Sequence, residues 1–244
     1  MKHLRLILLV VCLARIGLAQ QKPVPDIKYT TLRVITAGTK ATFVFCGDRL
    51  DFISAKMEKP TITVKLVSIK PSEGDFKRFG SQQVTLEVEA MKECKPDNYS
   101  LVLIHKDGVK ATTNLAVLDA VEGILPVKRP ISESTKAMPL TGSSWLVLDS
   151  LAGGNADYFR FEGRAGEKWE MKVLAGRVGS SADVVLRVRN SHRIALAMSA
   201  GLQKRDRKLA FTCPKDGAYT LELSDMDLRG GKEFSYGLWG RRLP

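Results

Sequence analysis

The stretch that decides the fold is "GGNADYFRFEGRAGEKWEMKV", residues 153–173. Its aromatics and carboxylates could belong to a ligand site or to the two faces of a sheet, and the period separates these readings. Phe159 and Phe161 fall on one parity, with Tyr158, Arg160 and Glu162 on the other. Trp169, Met171 and Val173 alternate in the same way against Lys168, Glu170 and Lys172. Successive side chains of a strand point to opposite faces, so period two marks two half-buried strands. The aromatics are then core, most of the charges are solvated, and "GRAG" at 163–166 is the turn of a hairpin.

The same rhythm continues on both sides. Downstream, "DVVLRVRN", "IALAMSA", "RKLAFTC", "AYTLELSD" and "FSYGLWG" complete, with the upstream "WLVLDSL", eight strands in about 100 residues, a number that suits a jelly-roll-like sandwich. Earlier, "TLRVI", "ATFVFC", "TITVKLVSI", "QVTLEVEA", "YSLVLI" and "TNLAVLDA" are separated by turn residues, with Lys106, Asp107 and Gly108 turning the last hairpin. These β-branched and aromatic runs predict a second sandwich. No segment carries a helical period long enough to compete. Between them "AVEGILPVKRPISESTKAMP", residues 120–139, holds three prolines and reads as a linker. It has no Gly/Ser tract, so the two units are expected to touch rather than swing freely. The expectation is an all-β chain of two tandem sandwiches, 24–119 and 140–244.

The N-terminus differs. Lys2 and Arg5 precede the apolar run "LILLVVCL", and Gly17 and Ala19 offer small residues before a cut near Ala19. This pattern predicts a secretory signal peptide over residues 1–19. The run is too short to span a bilayer and Arg15 interrupts it, while Cys12 follows valines where a lipidated cysteine would follow a small residue. Export to the periplasm or the exterior follows. Losing Lys2, Arg5 and Arg15 would take the formal charge from +12 to +9. The densest basic run, "QKRDRK" at 203–208, has no stacking aromatics beside it, which argues against nucleic acid. The run reads first as a solvated loop, and the sharper alternative is contact with anionic polymers of a cell envelope, which salt would weaken. The expected partner is an envelope polysaccharide or an exported protein.

Disulfides can persist after export. Cys46 and Cys94 both lie in the first unit and are expected to pair, leaving Cys213 a buried thiol.

Several motifs of the second half, taken in order, resemble the bacterial pre-peptidase C-terminal domain, a β-sandwich module of exported proteins. They are "GGNADYFRFEGRAGEKWEMKVLAGRVGSSADVVLRV", "LAFTCPKDGAYTLELSD" and "RGGKEFSYGL". The first half, through "RVITAGTKATFVFCGDRL" and "DNYSLVLIHKDGVKATTNLAVLD", resembles an immunoglobulin-like domain of the kind that precedes this module in planctomycete-type secreted proteins. Some members of the module's family bind calcium with acidic residues in the lead-in and at the start of the Tyr-Phe strand. Here the lead-in reads "VKRPI", Asn155 replaces the first strand acid, and only Asp157 remains. Calcium requires six to eight oxygens, and Lys128 and Arg129 would repel it, so no metal is expected.

No nucleophile elbow, zinc-protease helix, phosphate loop or dinucleotide fingerprint occurs. His105 and His192 both read as solvated turn residues, and the carboxylates of "SDMD" (224–227) and of Glu167 and Glu170 as exposed strand or loop residues. A glycosidase would need its carboxylate pair in a cleft rimmed by aromatics, and aromatics are only 7% of the chain. The reading is therefore an exported, non-catalytic binding or structural accessory protein without a cofactor, with Tyr158, Arg160 and Tyr236 as candidate ligand contacts. The alternatives are a lectin-like polysaccharide-binding protein and, further off, a hydrolase with an interdomain site.

Overall fold

The computed structural model describes residues 24–199 and 206–244. The expected signal peptide and residues 203–205 of the basic run lie outside them. The described residues form two tandem β-sandwiches.

The first contains β1 (Asp26–Thr30), β2 (Val34–Thr36), β3 (Lys40–Asp48), β4 (Phe52–Met57), β5 (Ile62–Pro71), β6 (Gln82–Ala90), β7 (Asp97–His105) and β8 (Lys110–Leu118). They assort into two sheets, β1-β3-β6-β5 and β2-β8-β7-β4. Alternation sends Phe43 and Phe45 of β3, Val84 and Leu86 of β6, and Leu101 and Leu103 of β7 into a shared core. Two of these strands, β1 and β4, have no counterpart in the sequence reading. In "FISAKM" Phe52 is buried while Ile53 is 65% exposed, so its composition gives no clean alternation.

The second sandwich contains β9 (Gly123–Ile124), β10 (Met138–Pro139), β11 (Ser144–Ser150), β12 (Asp157–Gly163), β13 (Lys168–Leu174), β14 (Val184–Arg189), β15 (Ala195–Met198), β16 (Arg207–Thr212), β17 (Gly217–Asp225) and β18 (Ser235–Arg242). Its sheets run β10-β12-β17-β14-β15 and β16-β13-β18-β11-β9. The eight expected strands are β11 to β18. The hairpin expected at 153–173 is not formed: β12 and β13 belong to opposite sheets, and the Gly163–Gly166 turn carries the chain across the sandwich. Phe161 and Trp169 consequently meet through the core, with ring centroids 5.1 Å apart. Gly163 is required at this corner, because a Cβ there would lie 2.4 Å from Cys213 Sγ.

Residues 120–139 are not a free linker. β9 lies parallel to β11 and β10 parallel to β12, so each end adds an edge strand to one sheet. Ile131 is buried in the second core, and Leu125 and Val127 pack against it. Proline is tolerated on such edges because no ladder donor is needed there.

The sandwiches are docked. Leu32, Val34, Ala116 and Leu118 of the first form one apolar cluster with Leu146, Leu174, Val178 and Trp239 of the second. At the seam's edge Arg78 meets Glu233 at 2.7 Å and Lys232 meets Asp75 at 2.8 Å. These solvent-exposed pairs add little, so buried apolar area holds the seam.

The expected Cys46–Cys94 disulfide is absent, and all three described cysteines are free and buried. The ladder gives the reason. Cys46 pairs in register with Gln83 near one end of β6, whereas Cys94 follows Ala90 at its other end. The ladder positions beside them, Gln83 and Ala90, are seven residues or roughly 23 Å apart at about 3.3 Å each, and a disulfide spans at most about 7 Å between Cα atoms. Cys46 also shares no face with the core that contains Phe45 and Cys94. His105 departs from expectation too: it is 3% exposed, its Nδ1 accepting the backbone N–H of Asp107 at 3.2 Å, with the ring set edge-on to Phe52. His192 is exposed.

Candidate functional site

Docking covers the outer face of the sheet β16-β13-β18-β11-β9, where Leu146, Leu174 and Trp239 lie under the first sandwich. The outer face of β10-β12-β17-β14-β15 has no such cover, and it carries a groove of about 470 Å³. Tyr158, Val185, Arg187, Glu222, Ser224 and Met226 are among its lining.

The register builds this groove. Tyr158 of β12 sits opposite Glu222 of β17, and Glu222 sits opposite Arg187 of β14, so three outward residues form one row across three strands. Their inward neighbours, Phe159, Leu221, Leu223, Leu186 and Val188, anchor that row in the core. Glu222 Oε1 accepts Arg187 Nη1 at 2.9 Å, and its Oε2 accepts Arg189 Nε at 2.6 Å. Arg189 is raised above its ordinary value by that bond. Burial, then Glu222, pushes the Tyr158 phenol up, so it stays protonated at neutral pH and can both donate and accept.

One end of the groove is shaped by the turn after β17. Asp225, 1% exposed, accepts the backbone N–H groups of Asp183, Asp227 and Arg229 at 2.8–3.2 Å. Arg229 adds Nε at 2.8 Å and Nη2 at 3.1 Å. Burial alone would raise this carboxyl, but Arg229 and the backbone donors outweigh it and hold it below the usual range. Beside this fixed frame stand the exposed side chains of Met226 and Leu228, 62% and 50% accessible. The groove therefore offers an aromatic ring, an apolar rim and fixed hydrogen-bonding groups, the elements that bind polar rings with an apolar face.

The three expected contact residues separate. Tyr158 lies in the groove. Arg160 occupies the same outward parity but lies outside the groove's lining, its side chain 55% exposed and 4.0 Å from Glu162. Tyr236 is not a contact residue: it is fully buried, and its hydroxyl donates to Asp157 Oδ2 at 2.7 Å. Its position on β18 points it into the core, where burial and then Asp157 raise the phenol far above its ordinary value. Arg187, Glu222, Ser224 and Met226 were not among the expected contacts. Outward parity in "VVLRV" and "TLELS" is the only signal that could have raised the first three, and Met226, beyond the end of β17, carried none.

Asp157 itself belongs to a second polar cluster. Arg129 Nη1 and Nη2 lie 3.0 Å from Asp157 Oδ1 and Oδ2, and Nη2 also reaches Asp149 Oδ2 at 2.7 Å and the Ser150 carbonyl at 2.5 Å. Calcium does not fit these residues, because the guanidinium already takes both oxygens of Asp157 and one of Asp149 and would repel a second cation.

No protein-family model matches the chain, and no curated protein matches it. Among solved structures it is similar to the pre-peptidase C-terminal domain of collagenase from Bacillus anthracis, at 19% identity and TM-score 0.36, over 47% of this chain and all of that one. PliG from Aeromonas hydrophila, a periplasmic inhibitor of g-type lysozyme, aligns at 17% identity and TM-score 0.32, over 50% and 96% of the two chains. The glucan-utilization protein SGBP-B of Bacteroides ovatus, solved with a mixed-linkage heptasaccharide, aligns at 12% identity and TM-score 0.29, over 88% and 74%.

Proposed function

We propose that this chain is an exported, non-catalytic accessory protein that binds polysaccharide in the groove around Tyr158. The observation that carries the reading is the row Tyr158, Glu222 and Arg187 on the sheet face that interdomain docking leaves open. A tyrosine ring beside Val185, Met226 and Leu228 suits the apolar face of a sugar, and Ser224, Asn155 and the Arg187–Glu222 pair suit its hydroxyls. Non-catalytic character is supported by how the groove's acids are used. Glu222 is bound by two arginines and Asp225 by Arg229 and three backbone donors, so both are taken up in internal bonds instead of being presented to a substrate. Export is supported by the basic start, the apolar run and the small residues around Ala19. No helix of the described residues is long and apolar enough to cross a membrane.

The test is titration calorimetry of the purified protein with envelope polysaccharide at low and at moderate salt. Saturable binding that survives salt and weakens about tenfold or more in Tyr158→Ala supports the reading. Binding lost with salt and indifferent to Tyr158 would reduce it to attraction by the net +9 charge that remains of +12 once Lys2, Arg5 and Arg15 are lost.

A further inference from the structure

Arg33 is the most deeply buried lysine or arginine among the described residues, at 5% exposure, and the other deeply buried cation, Arg207, is paired with Asp183. It lies on the seam, and its backbone N–H donates to the Val178 carbonyl of the other sandwich at 3.2 Å. Its Nε donates to the Asn114 carbonyl at 2.7 Å and its Nη1 to Thr30 Oγ1, while Nη2 has no hydrogen-bond partner among the described residues. No carboxylate of the described residues comes within 4.0 Å of it, and every Asp and Glu of the chain is described. The buried acids are treated differently. Asp157, Glu170, Glu222 and Asp225 each hold at least one lysine or arginine. Burial pulls the Arg33 guanidinium down to about 10, still charged at neutral pH. A buried charge without a counter-charge is costly, and breaking with the pattern of the other buried charges marks it as a binding group.

Space is provided beside it. A cavity of about 310 Å³ opens onto Arg33, lined also by Lys28, Thr30, Thr112, Thr113 and Gly179. Lys28 is already held by Asp48 at 2.6 Å and Asp26 at 3.7 Å, which leaves Arg33 as the unneutralised cation. Thr30 accepts from Nη1 and keeps its own hydroxyl proton to donate. Gly179 comes from the other sandwich with φ +105°, and a Cβ there would lie 2.4 Å from Nη1, so this wall admits no side chain without displacing the guanidinium.

We propose that the seam cavity is an oxyanion site that takes a single carboxylate group, with Arg33 Nη2 as charged donor and the hydroxyls of Thr30 and Thr113 as neutral donors, Thr113 sharing the parity of the core-facing Leu115 and Val117. Such a group supplies the missing counter-charge through donors of the first sandwich, beside the wall that Gly179 of the second provides. The site is independent of the Tyr158 groove and does not require that the protein bind polysaccharide.

The experiment is thermal denaturation and calorimetry of the full chain with sodium acetate, sodium glucuronate and glucose, at ionic strength matched with sodium chloride. Acetate and glucuronate are expected to raise the melting temperature saturably, and glucose and chloride to leave it unchanged. A response to glucuronate without acetate assigns the site to a carboxylate carried on a sugar ring, and an equal response to both assigns it to the carboxylate alone. Arg33→Met should abolish binding. Thr113→Val, which removes no bond to Arg33, should weaken binding about fivefold to tenfold while leaving the unliganded melting temperature in place. No response to either carboxylate, or a response that Thr113→Val leaves unchanged, overturns the proposal even if Arg33→Met does not fold.

Discussion

Arg129 reaches back from the segment before β11 to clasp Asp157 with both terminal nitrogens, each 3.0 Å from a different carboxylate oxygen. The pair closes a cluster in which Tyr236 donates from the core and Asp149 accepts from the same guanidinium. A cation of the lead-in thus neutralises Asp149 of β11 and the strand-start Asp157, the one acid that remains of the set with which the resemblance to the pre-peptidase C-terminal family would hold a metal.

Arg129→Ala should therefore destabilise the protein. It leaves the Asp157 side chain, 2% exposed, charged and without a cation. Breaking a fully buried pair costs about 3–5 kcal/mol, and because Arg129 is 35% exposed the expected loss is nearer ~2–3 kcal/mol. Tyr236→Phe should cost about 1–2 kcal/mol through the lost bond to Asp157. Millimolar calcium should leave the wild-type melting temperature unchanged. A rise of several degrees would show that the guanidinium yields to the ion.

Thiol titration checks the cysteine geometry. Burial pushes the Cys46 and Cys213 thiols up to about 11, so the native protein should react negligibly with a thiolate-directed reagent at pH 8. In denaturant without reductant all three described cysteines should become reactive. Two unreactive cysteines under those conditions would mean that a bridge forms despite the roughly 23 Å ladder separation.

Asp225 makes the end of the groove sensitive to acid. Its folded value lies below the ordinary 3.8, so its contribution is fully present above that value and is lost as pH falls through the folded one. Asp225→Asn should cost about 2–3 kcal/mol at neutral pH, from weakened backbone and Arg229 bonds. The gap in melting temperature between wild type and variant should hold above pH ~5 and narrow below pH ~4. A gap independent of pH would assign the effect to packing instead of charge.

Much of the fold was legible because burial enforces period two. "DYFRFEG" and "EKWEMKV" displayed their core and solvent faces directly, and the structure keeps those faces. Pairing was less legible, since a turn such as "GRAG" serves a hairpin and a sheet-to-sheet crossing equally well. The choice was made by β17 and β18, more than 50 residues away, which pair with β12 and β13 respectively. The candidate groove was hidden for the same reason: Tyr158, Glu222 and Arg187 are neighbours only through register. Tyr236 misled because "FSYGLWG" is apolar on both parities, one facing the second core and the other, through Trp239, facing the seam.

That two-sided burial of β18 leads to the last prediction. Tyr236 and Leu238 pack inside the second sandwich, whereas Trp239, 1% exposed, packs outward among Leu32, Val34 and Leu118, with Lys172 Nζ 4.6 Å from its ring. Truncating Trp239 strips the seam while leaving both cores filled. Wild type should unfold in one calorimetric transition, because neither sandwich can expose its seam face without loss. Trp239→Ala should cost about 3–5 kcal/mol, the range for a large buried aromatic, and should divide the transition into two. Arg78→Ala, which breaks only the exposed pair with Glu233, should change stability by less than about 1 kcal/mol and leave a single transition. Two transitions in wild type would mean that the apolar seam does not couple the sandwiches.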